Sequence, residues 1–475
     1  MYRNRRAKIV ATIGPSSNDE ATLRALFDAG ADVFRFNFSH GSHEEHRQRY
    51  DLVRAIERER GRPIAVLADL QGPKLRIGRL TGPIVLAADE TLRFDLNPEP
   101  GTRERIPLPH PEIFAALAPG VHLLIDDGKL RLEVEQADAT SAIARALVNG
   151  VLSERKGVSV VGATLPVSAM TPKDREDLAF ALQLGADWIA LSFVQRASDL
   201  AEVRELAGRP IALMAKLEKP SAIDELDAIV AGADAVMVAR GDLGVEMAPE
   251  KVPVVQRRIL RAARTAGKPV VVATQMLESM IHAPTPTRAE ASDVASAVYE
   301  GADAVMLSAE TAAGSYPVEA VAMMSRIIGE VERDPHYRAL IDATHPPVEA
   351  NVSDVICDAL RVCASTLPMA ALVAYTTSGT TGLRTARLRP AAPIVSLTPQ
   401  LSVARRLALV WGTHPVLGPN LSNINEIVDD ACTVTVREGL AKTGDTIAIA
   451  GGMPFGIAGS TNLLRIAHIP GETEA

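Results

Sequence analysis

Two short signals punctuate this chain and together dictate most of its architecture. Gly-Ala-Asp opens an apolar run at Gly30, Gly185, Gly232 and Gly301, and Gly-basic-Pro opens one at Gly61, Gly208 and Gly267. A glycine ends a helix without steric strain, and a proline close behind cannot continue it. Each signal therefore marks the end of a helix and the start of a strand. With the first apolar run, Lys8 to Ile13, there are eight strands. Helical patterns lie between them, such as Leu23, Leu26 and Phe27, or Leu178, Phe180, Ala181 and Leu184. Eight βα units with near-continuous apolar strands read as a (β/α)8 TIM barrel, with an open doubly wound sheet as the rival α/β fold. The count of eight and the near-regular spacing favour the barrel.

One interval breaks the rhythm. From Gly61 to Gly185 the chain is far longer than the about 30 residues a βα unit needs. An insert of residues 71–167 after the third strand is the simplest account. It is rich in Gly and Pro and alternates at Leu130–Ala137, which predicts short antiparallel strands. It leaves the barrel at a strand's C-terminal end, where barrel active sites sit, so it is placed to act as a lid. After the eighth strand a helical pattern runs to about Leu340, and residues 343–351 read as a linker. The remainder alternates strands and helices again. The expected division is a barrel of residues 1–70 and 168–345, a lid of 71–167 and a C-terminal α/β domain of 346–475.

Composition narrows the function. Of 475 residues, 47% are hydrophobic and 23% charged, which suits three soluble domains. A net charge of −8 with no Lys/Arg block disfavours a nucleic-acid partner, and 4% aromatic content leaves little for base stacking. Cys357, Cys363 and Cys432 have no CxxC spacing, which argues against a disulfide framework or a zinc site. No apolar run reaches the roughly 18 residues of a membrane helix, so no membrane partner and a cytoplasmic location are expected.

The strand ends gather one set of polar residues at one mouth. They are Arg35, Asn37 and Ser39; Asp69; Lys216 and Glu218; Arg240 and Asp242; Thr274 and Gln275; Ser308 and Glu310. Lys216 and Glu218, two apart in extended chain, face the same side. Glu218 and Asp242 are hard oxygen ligands suited to Mg2+. Arg35, Lys216 and Arg240 offer charge to a phosphate or carboxylate. A separate loop, TTSGTTG at Thr376–Gly382, enters a helix and reads either as a phosphate cradle or as a plain small-residue turn. From the residues alone, this is a magnesium-dependent barrel enzyme acting on a phosphorylated or carboxylated small molecule. Phosphoryl transfer and lyase or aldolase chemistry both stay open.

Longer motifs narrow the choice. ATIGPSS (Ala11–Ser17), RFNFSHG (Arg35–Gly41), QGPKLR (Gln71–Arg76), DDG (Asp126–Gly128) and MAKLEK (Met214–Lys219) occur in that order. VARGDLGVE (Val238–Glu246), ATQMLESM (Ala273–Met280), PTRAEASDVA (Pro286–Ala295) and LSAETAAGSYP (Leu307–Pro317) follow. In motifs and order, over nearly its whole length, the chain resembles the pyruvate kinases. The resemblance implies transfer of a phosphoryl group from phosphoenolpyruvate to ADP, giving pyruvate and ATP. It implies Glu218 and Asp242 as Mg2+ ligands, and Lys216 and Arg35 as stabilisers of the phosphoryl group. Gly241, Asp242, Thr274, Arg240 and Ser308 would bind substrate, Thr274 also serving the proton relay. Asn37, His40, Arg76 and Lys156 would face the nucleotide. Thr376, Thr377, Ser378, Gly379 and Thr381, with the loop Gly451–Asn462, would hold an allosteric phosphate effector, and the family's usual homotetramer is expected.

One departure is informative. Many family members hold K+ at positions matching Asn37, Ser39, Asp69 and the Leu70 carbonyl, and carry glutamate where this chain has Lys74. The chain resembles the potassium-independent form, so no K+ requirement is expected. A lysine ammonium is a compact point charge able to stand where the ion would. A second departure, Ala309 where the family usually has glycine, requires a negative φ at that residue. Two rivals remain: a lyase on a similar barrel, needing no lid or phosphate loop, and a non-catalytic metabolite sensor. The sensor would have no need to keep Lys216, Glu218, Asp242 and Thr274 together.

Overall fold

The computed structural model describes residues 2–163, 165–454 and 459–471. Eight parallel strands form a closed barrel: β1 (Lys8–Ile13), β2 (Val33–Asn37), β3 (Ala65–Asp69), β4 (Trp188–Leu191), β5 (Leu213–Leu217), β6 (Ala235–Ala239), β7 (Val270–Ala273) and β8 (Ala304–Leu307). β1 closes the ring by pairing with both β2 and β8.

The punctuation works as its chemistry demands, with one exception. Gly61, Gly185 and Gly208 cap helices in the left-handed conformation, at φ of 59°, 84° and 61°. Gly232 instead stays inside the helix Leu226–Gly232, and Ala233 ends it in extended geometry. The long helical pattern before the linker is likewise two helices, Pro317–Arg333 and Pro335–Ala343. Pro335 cannot continue the first, and the Asp334 side chain caps the second by accepting from His336 N.

Strand alternation splits the barrel core in two. Val10, Val33, Leu67, Ala190, Met214, Met237, Val271 and Met306 fill the inside of the ring, whereas Ile9, Ala11, Phe34, Val66 and Val236 pack under the surrounding helices. Ala408 and Leu409 of the C-terminal region join the inner set and stop its floor. The same interface carries Trp188 Nε1 donating to the Arg406 carbonyl and a buried Arg389–Asp303 pair at 2.9 Å. The floor is thus closed by protein, and chemistry is confined to the opposite mouth.

The chain between β3 and β4 forms a six-stranded sheet and a two-stranded one. Its own core includes Phe94, Ile106, Leu123, Leu132 and Val160. Leu130–Ala137 is a strand whose side chains alternate buried and exposed over its first six residues, as its sequence predicts. At the other end of the chain, strands 413–417, 394–398, 369–375 and 446–452 run parallel, and 461–468 joins antiparallel.

Candidate active site

Lys216 and Glu218 meet as their spacing requires. Lys216 Nζ lies 2.8 Å from Glu218 Oε1 and 3.2 Å from Asp69 Oδ1. Asp69, the last residue of β3, takes Arg35 Nε on its other oxygen at 2.6 Å. One buried carboxylate therefore stands between two cations supplied by β2 and β5. Arg35 is braced further by Thr12, whose hydroxyl accepts from Nη1 at 3.1 Å and donates to the Leu307 carbonyl.

The ionic balance is uneven. Burial alone would lower the Lys216 pKa, but Asp69 and Glu218 outweigh it and raise it. Burial would raise Asp69, but Lys216 and Arg35 hold it below the ordinary carboxylate range. Glu218 differs. Burial pushes its carboxyl up to about 7 against the pull of Lys216, and the like charge of Asp242 adds to the rise. The carboxylate pair is short of positive charge. A divalent cation fits such a donor set. No group of three His, Cys, Asp or Glu side chains suited to a metal occurs among the described residues. A metal here would have two protein carboxylates and would fill its shell from substrate and water.

Ser192 and Phe193, just past β4, were not legible as site residues. Lys216 Nζ donates to Ser192 Oγ at 2.6 Å, and Ser192 donates to the Leu70 carbonyl at 2.7 Å. Phe193 sits at φ 56° and gives its N–H to Glu218 Oε2 at 2.8 Å. The available signal was position: Ser192 lies two residues beyond Ala190, which pairs in register with Asp69.

Thr274 and Gln275 are also left-handed, at φ 68° and 56°. Such strain costs about 1–3 kcal/mol per residue and gathers where geometry is functional. The Thr274 hydroxyl accepts from Gly241 N at 2.7 Å and donates to the Ala273 carbonyl at 2.6 Å. Ser308 Oγ is shut away from solvent with no hydrogen-bond partner among the described residues. Ala309 opens a short helix without positive φ, as required.

Arg240, expected to bind substrate, is held by protein partners in this structure. Its guanidinium is engaged by Asp293 at 2.6 Å, by the Ala273 and Thr274 carbonyls and by Met276 Sδ. It braces the strained turn after β7. Glu310 likewise turns back to accept from Ser308 N and Leu277 N.

Asn37 pairs in register with Asp69 and accepts from Ser39 N at 3.1 Å. His40 is exposed; burial of its ring, Lys74 and Arg35 all lower its pKa. Lys74 has no carboxylate within 4 Å among the described residues; its field neighbours include Arg76, Asp242, Lys216 and Lys173. Partial burial, followed by Arg76, lowers its pKa. Arg76 and Lys156 lie side by side at the root of the insert, where Ile77 N donates to the Lys156 carbonyl. Arg76 Nη1 donates to the Arg155 carbonyl, and Lys156 pairs with Asp126 of the DDG motif at 3.0 Å.

The C-terminal loop does enter a helix, Thr380–Arg387, through Gly379 at φ 94°. Its hydroxyls already have partners, two of them local. Thr376 Oγ1 accepts from Gly379 N, Ser378 bonds Thr380, and buried Thr381 bonds Thr461 at 2.8 Å. Thr377 is half-buried beside them. Residues 455–458 of the companion loop lie outside the described residues.

Residues 4–321 match the pyruvate kinase barrel domain, and 354–467 match the pyruvate kinase alpha/beta domain. A pyruvate kinase of Methylorubrum extorquens is 52% identical over 473 residues, covering 99% of each chain. One from Mycobacterium tuberculosis is 44% identical, covering 98% of each chain. The crystal structure of a pyruvate kinase from Cryptosporidium parvum superposes with a TM-score of 0.94 at 34% identity, over 98% of this chain and 97% of that one. No described helix is long and apolar enough to cross a membrane. With motifs, barrel, mouth and relatives in agreement over both halves, the chain belongs to the pyruvate kinase family and is a phosphotransferase.

Proposed function

We propose that the mouth transfers the phosphoryl group of phosphoenolpyruvate to ADP in the cytoplasm, yielding pyruvate and ATP. The observation that carries this is Lys216 held between Asp69 and Glu218, with Arg35 on the far side of Asp69. Phosphoryl transfer asks for fixed positive charge around the moving group more than for covalent help. Lys216 and Arg35 supply it, already oriented by Asp69, Ser192 and Thr12. Mg2+ held by Glu218 and Asp242 would neutralise charge on the substrate oxygens. The Gly241 N–H and the Thr274 hydroxyl bond each other here and would turn to the substrate carboxylate. Ser308 and Arg240 support that wall. As the bond to the enol oxygen breaks, the enolate carbon takes a proton through a relay that includes Thr274. Asn37, His40, Arg76 and Lys156 face ADP, and the insert closes over it, so water does not take the phosphoryl group.

Lys74 stands in for K+. It brings a cation into the field of Asp242 and Lys216, in place of an ion that Asn37, Ser39, Asp69 and the Leu70 carbonyl would otherwise hold. The C-terminal loop binds a phosphorylated small-molecule effector, and copies of the chain assemble as a homotetramer. Exposed Val352, Val355 and Val362 on the helix Val352–Thr366 suit contact between copies.

The test is pyruvate formation from phosphoenolpyruvate and ADP with Mg2+, free of Na+ and K+. Full activity, little changed by added K+, is expected. For Lys74→Glu we expect a loss of roughly tenfold or more that K+ restores, in line with removal of one charge from a phosphoryl clamp. If that variant stays equally active without K+, the role given to Lys74 is wrong. Inactivity of the parent with and without K+ or phosphosugars would return the lyase and sensor readings.

A further inference from the structure

The insert returns to the barrel beside the two candidate metal carboxylates. At its first end, Gly72 packs so close to Phe193 that a Cβ there would sit 2.6 Å from the ring. Phe193 is the left-handed residue whose N–H holds Glu218. The Lys219 ammonium lies 5.4 Å from the centre of the Phe193 ring. Lys219 directly follows Glu218, so in extended chain it points away from the mouth. There it pairs with Glu246, the last residue of the helix Arg240–Glu246, which carries Gly241 and Asp242 at its other end.

Glu246 also meets the insert. The strand Val158–Val161 packs against the helix Arg240–Glu246, and Ser159 of that strand is among the groups that act on the Glu246 carboxylate. One residue back, Val245 faces the DDG loop: a Cβ on Gly128 would lie 3.8 Å from it. A continuous path therefore runs from Gly72 through Phe193, Lys219 and Glu246 to Ser159. It starts and ends in the insert, and on the way it touches the residue that holds Glu218 and the helix that carries Asp242.

This pair has no evident stabilising purpose. The Lys219 and Glu246 side chains are only 11% and 5% exposed. A buried ion pair is about neutral for stability against an apolar pair of similar size, so position is the better account of it. A cavity of about 270 Å3 opens beside the pair, with Val160, Gly162 and Leu165 on the insert side. Gly162 is left-handed at φ 97°. The insert thus has room to swing about this contact.

We propose that Lys219 and Glu246 are positioning residues that transmit the position of the insert to Glu218 and Asp242. Closure over a nucleotide moves Ser159, and with it the far end of the Asp242 helix and the Lys219–Phe193 brace on Glu218. Nucleotide binding and substrate-anion binding at the metal carboxylates are then coupled, each tightening the other by the same factor. This rests on reading Glu218 and Asp242 as metal ligands.

The probe is oxalate, a small dianion resembling the enolate, titrated calorimetrically into the full chain with saturating Mg2+, with and without ADP. The parent is expected to bind oxalate about fivefold or more tighter with ADP, the low end of ordinary coupling. Ser159→Ala, which leaves the barrel pair intact, should bring that factor within about twofold of one, with an unchanged melting temperature. Lys219→Met/Glu246→Gln removes both charges and so leaves none buried and unpaired. It should do the same while oxalate affinity without ADP moves by less than about threefold, and Lys219→Arg should retain the coupling. Parental coupling in both the Ser159 and the double variant, or no coupling in the parent, overturns the proposal. Oxalate binding that ignores Mg2+ and survives Glu218→Gln overturns instead the metal reading beneath it.

Discussion

The barrel mouth and the C-terminal loop were both marked by small clusters of polar residues, yet the structure treats them differently. At the mouth, Arg35, Lys216, Asp69 and Glu218 come from three strands, far apart in the chain, and converge. In the loop, Thr376 and Ser378 satisfy their hydroxyls within three residues. Charges buried at strand ends can be compensated only by partners from other strands. Hydroxyls on a turn find partners in their own backbone. A converged charge cluster therefore constrains chemistry in a way that a hydroxyl-rich loop does not.

The largest effect that would break this contrast is at Lys216. Lys216→Met leaves Asp69 and Glu218 facing each other without their shared cation, and removes a charge from the moving phosphoryl group. We expect kcat to fall by about 10³ or more, since one preorganised electrostatic contact is commonly worth 10²–10³. Steady-state assay alongside thermal melting separates this from unfolding. A loss under tenfold in a folded variant would show that the mouth's charge is structural.

A smaller effect compares two histidines, one behind the mouth and one at the barrel floor. His46 lies behind the mouth, stacked 4.4 Å from Phe38, and donates from Nε2 to the His40 carbonyl; His414, at the floor, bonds Glu438 at 3.0 Å. Burial pushes each down to about 4 from an ordinary 6.5; Arg49 adds to it at His46, while Glu438 opposes it at His414. Each Nδ1 is buried with no partner among the described residues, so a proton there would be stranded. The folded state holds both rings neutral. Their contribution is fully present above pH 6.5 and is lost as pH falls toward 4, where only the unfolded chain takes up protons. The loss is of order 1–3 kcal/mol per ring. Urea midpoints at pH 7 and 4.5 should show it, and His46→Phe or His414→Gln should flatten the slope. An unchanged slope in both variants would place the titration elsewhere.

How legible each region was follows from the range of its contacts. Seven of the eight strands could be read because their glycine and proline punctuation acts on the adjacent residues. Lys216 and Glu218 could be read because the two-residue period of a strand is local, and Asp69 and Arg35 because strand ends share a mouth. Arg240 could not: its partner Asp293 sits on a later helix, and nothing near Arg240 shows which carboxylate will claim it. Ser192 looked like the tail of an apolar strand. Positive φ at Phe193, Thr274 and Gln275 is imposed by tertiary packing on residues with no preference for it. Thr381 meets Thr461 eighty residues on, beyond any local pattern.

The smallest effect concerns the loop itself, where the comparison can be sharpened most. If both Ser378 and Thr380 donate to a phosphate, their mutual bond at 2.9 Å must open, because it uses the proton of one of the two hydroxyls. The Thr381–Thr461 bond is buried and would hold the helix start in place. The two contacts should then separate by substitution. Thr381→Val, similar in shape, should lower stability by about 1 kcal/mol through the unpaired Thr461 hydroxyl. It should weaken the response to effector less than loss of Ser378 and Thr380 does. Ser378→Ala with Thr380→Ala should change stability little but abolish the rise in melting temperature that a saturating phosphosugar gives the parent. That rise reflects about 2–3 kcal/mol at a hundredfold excess over Kd. If a panel of phosphosugars and AMP moves neither the melting temperature nor the kinetics of the parent, the loop is a self-satisfied turn. Its resemblance to a phosphate cradle would then reflect small residues alone, and the contrast with the mouth would be complete.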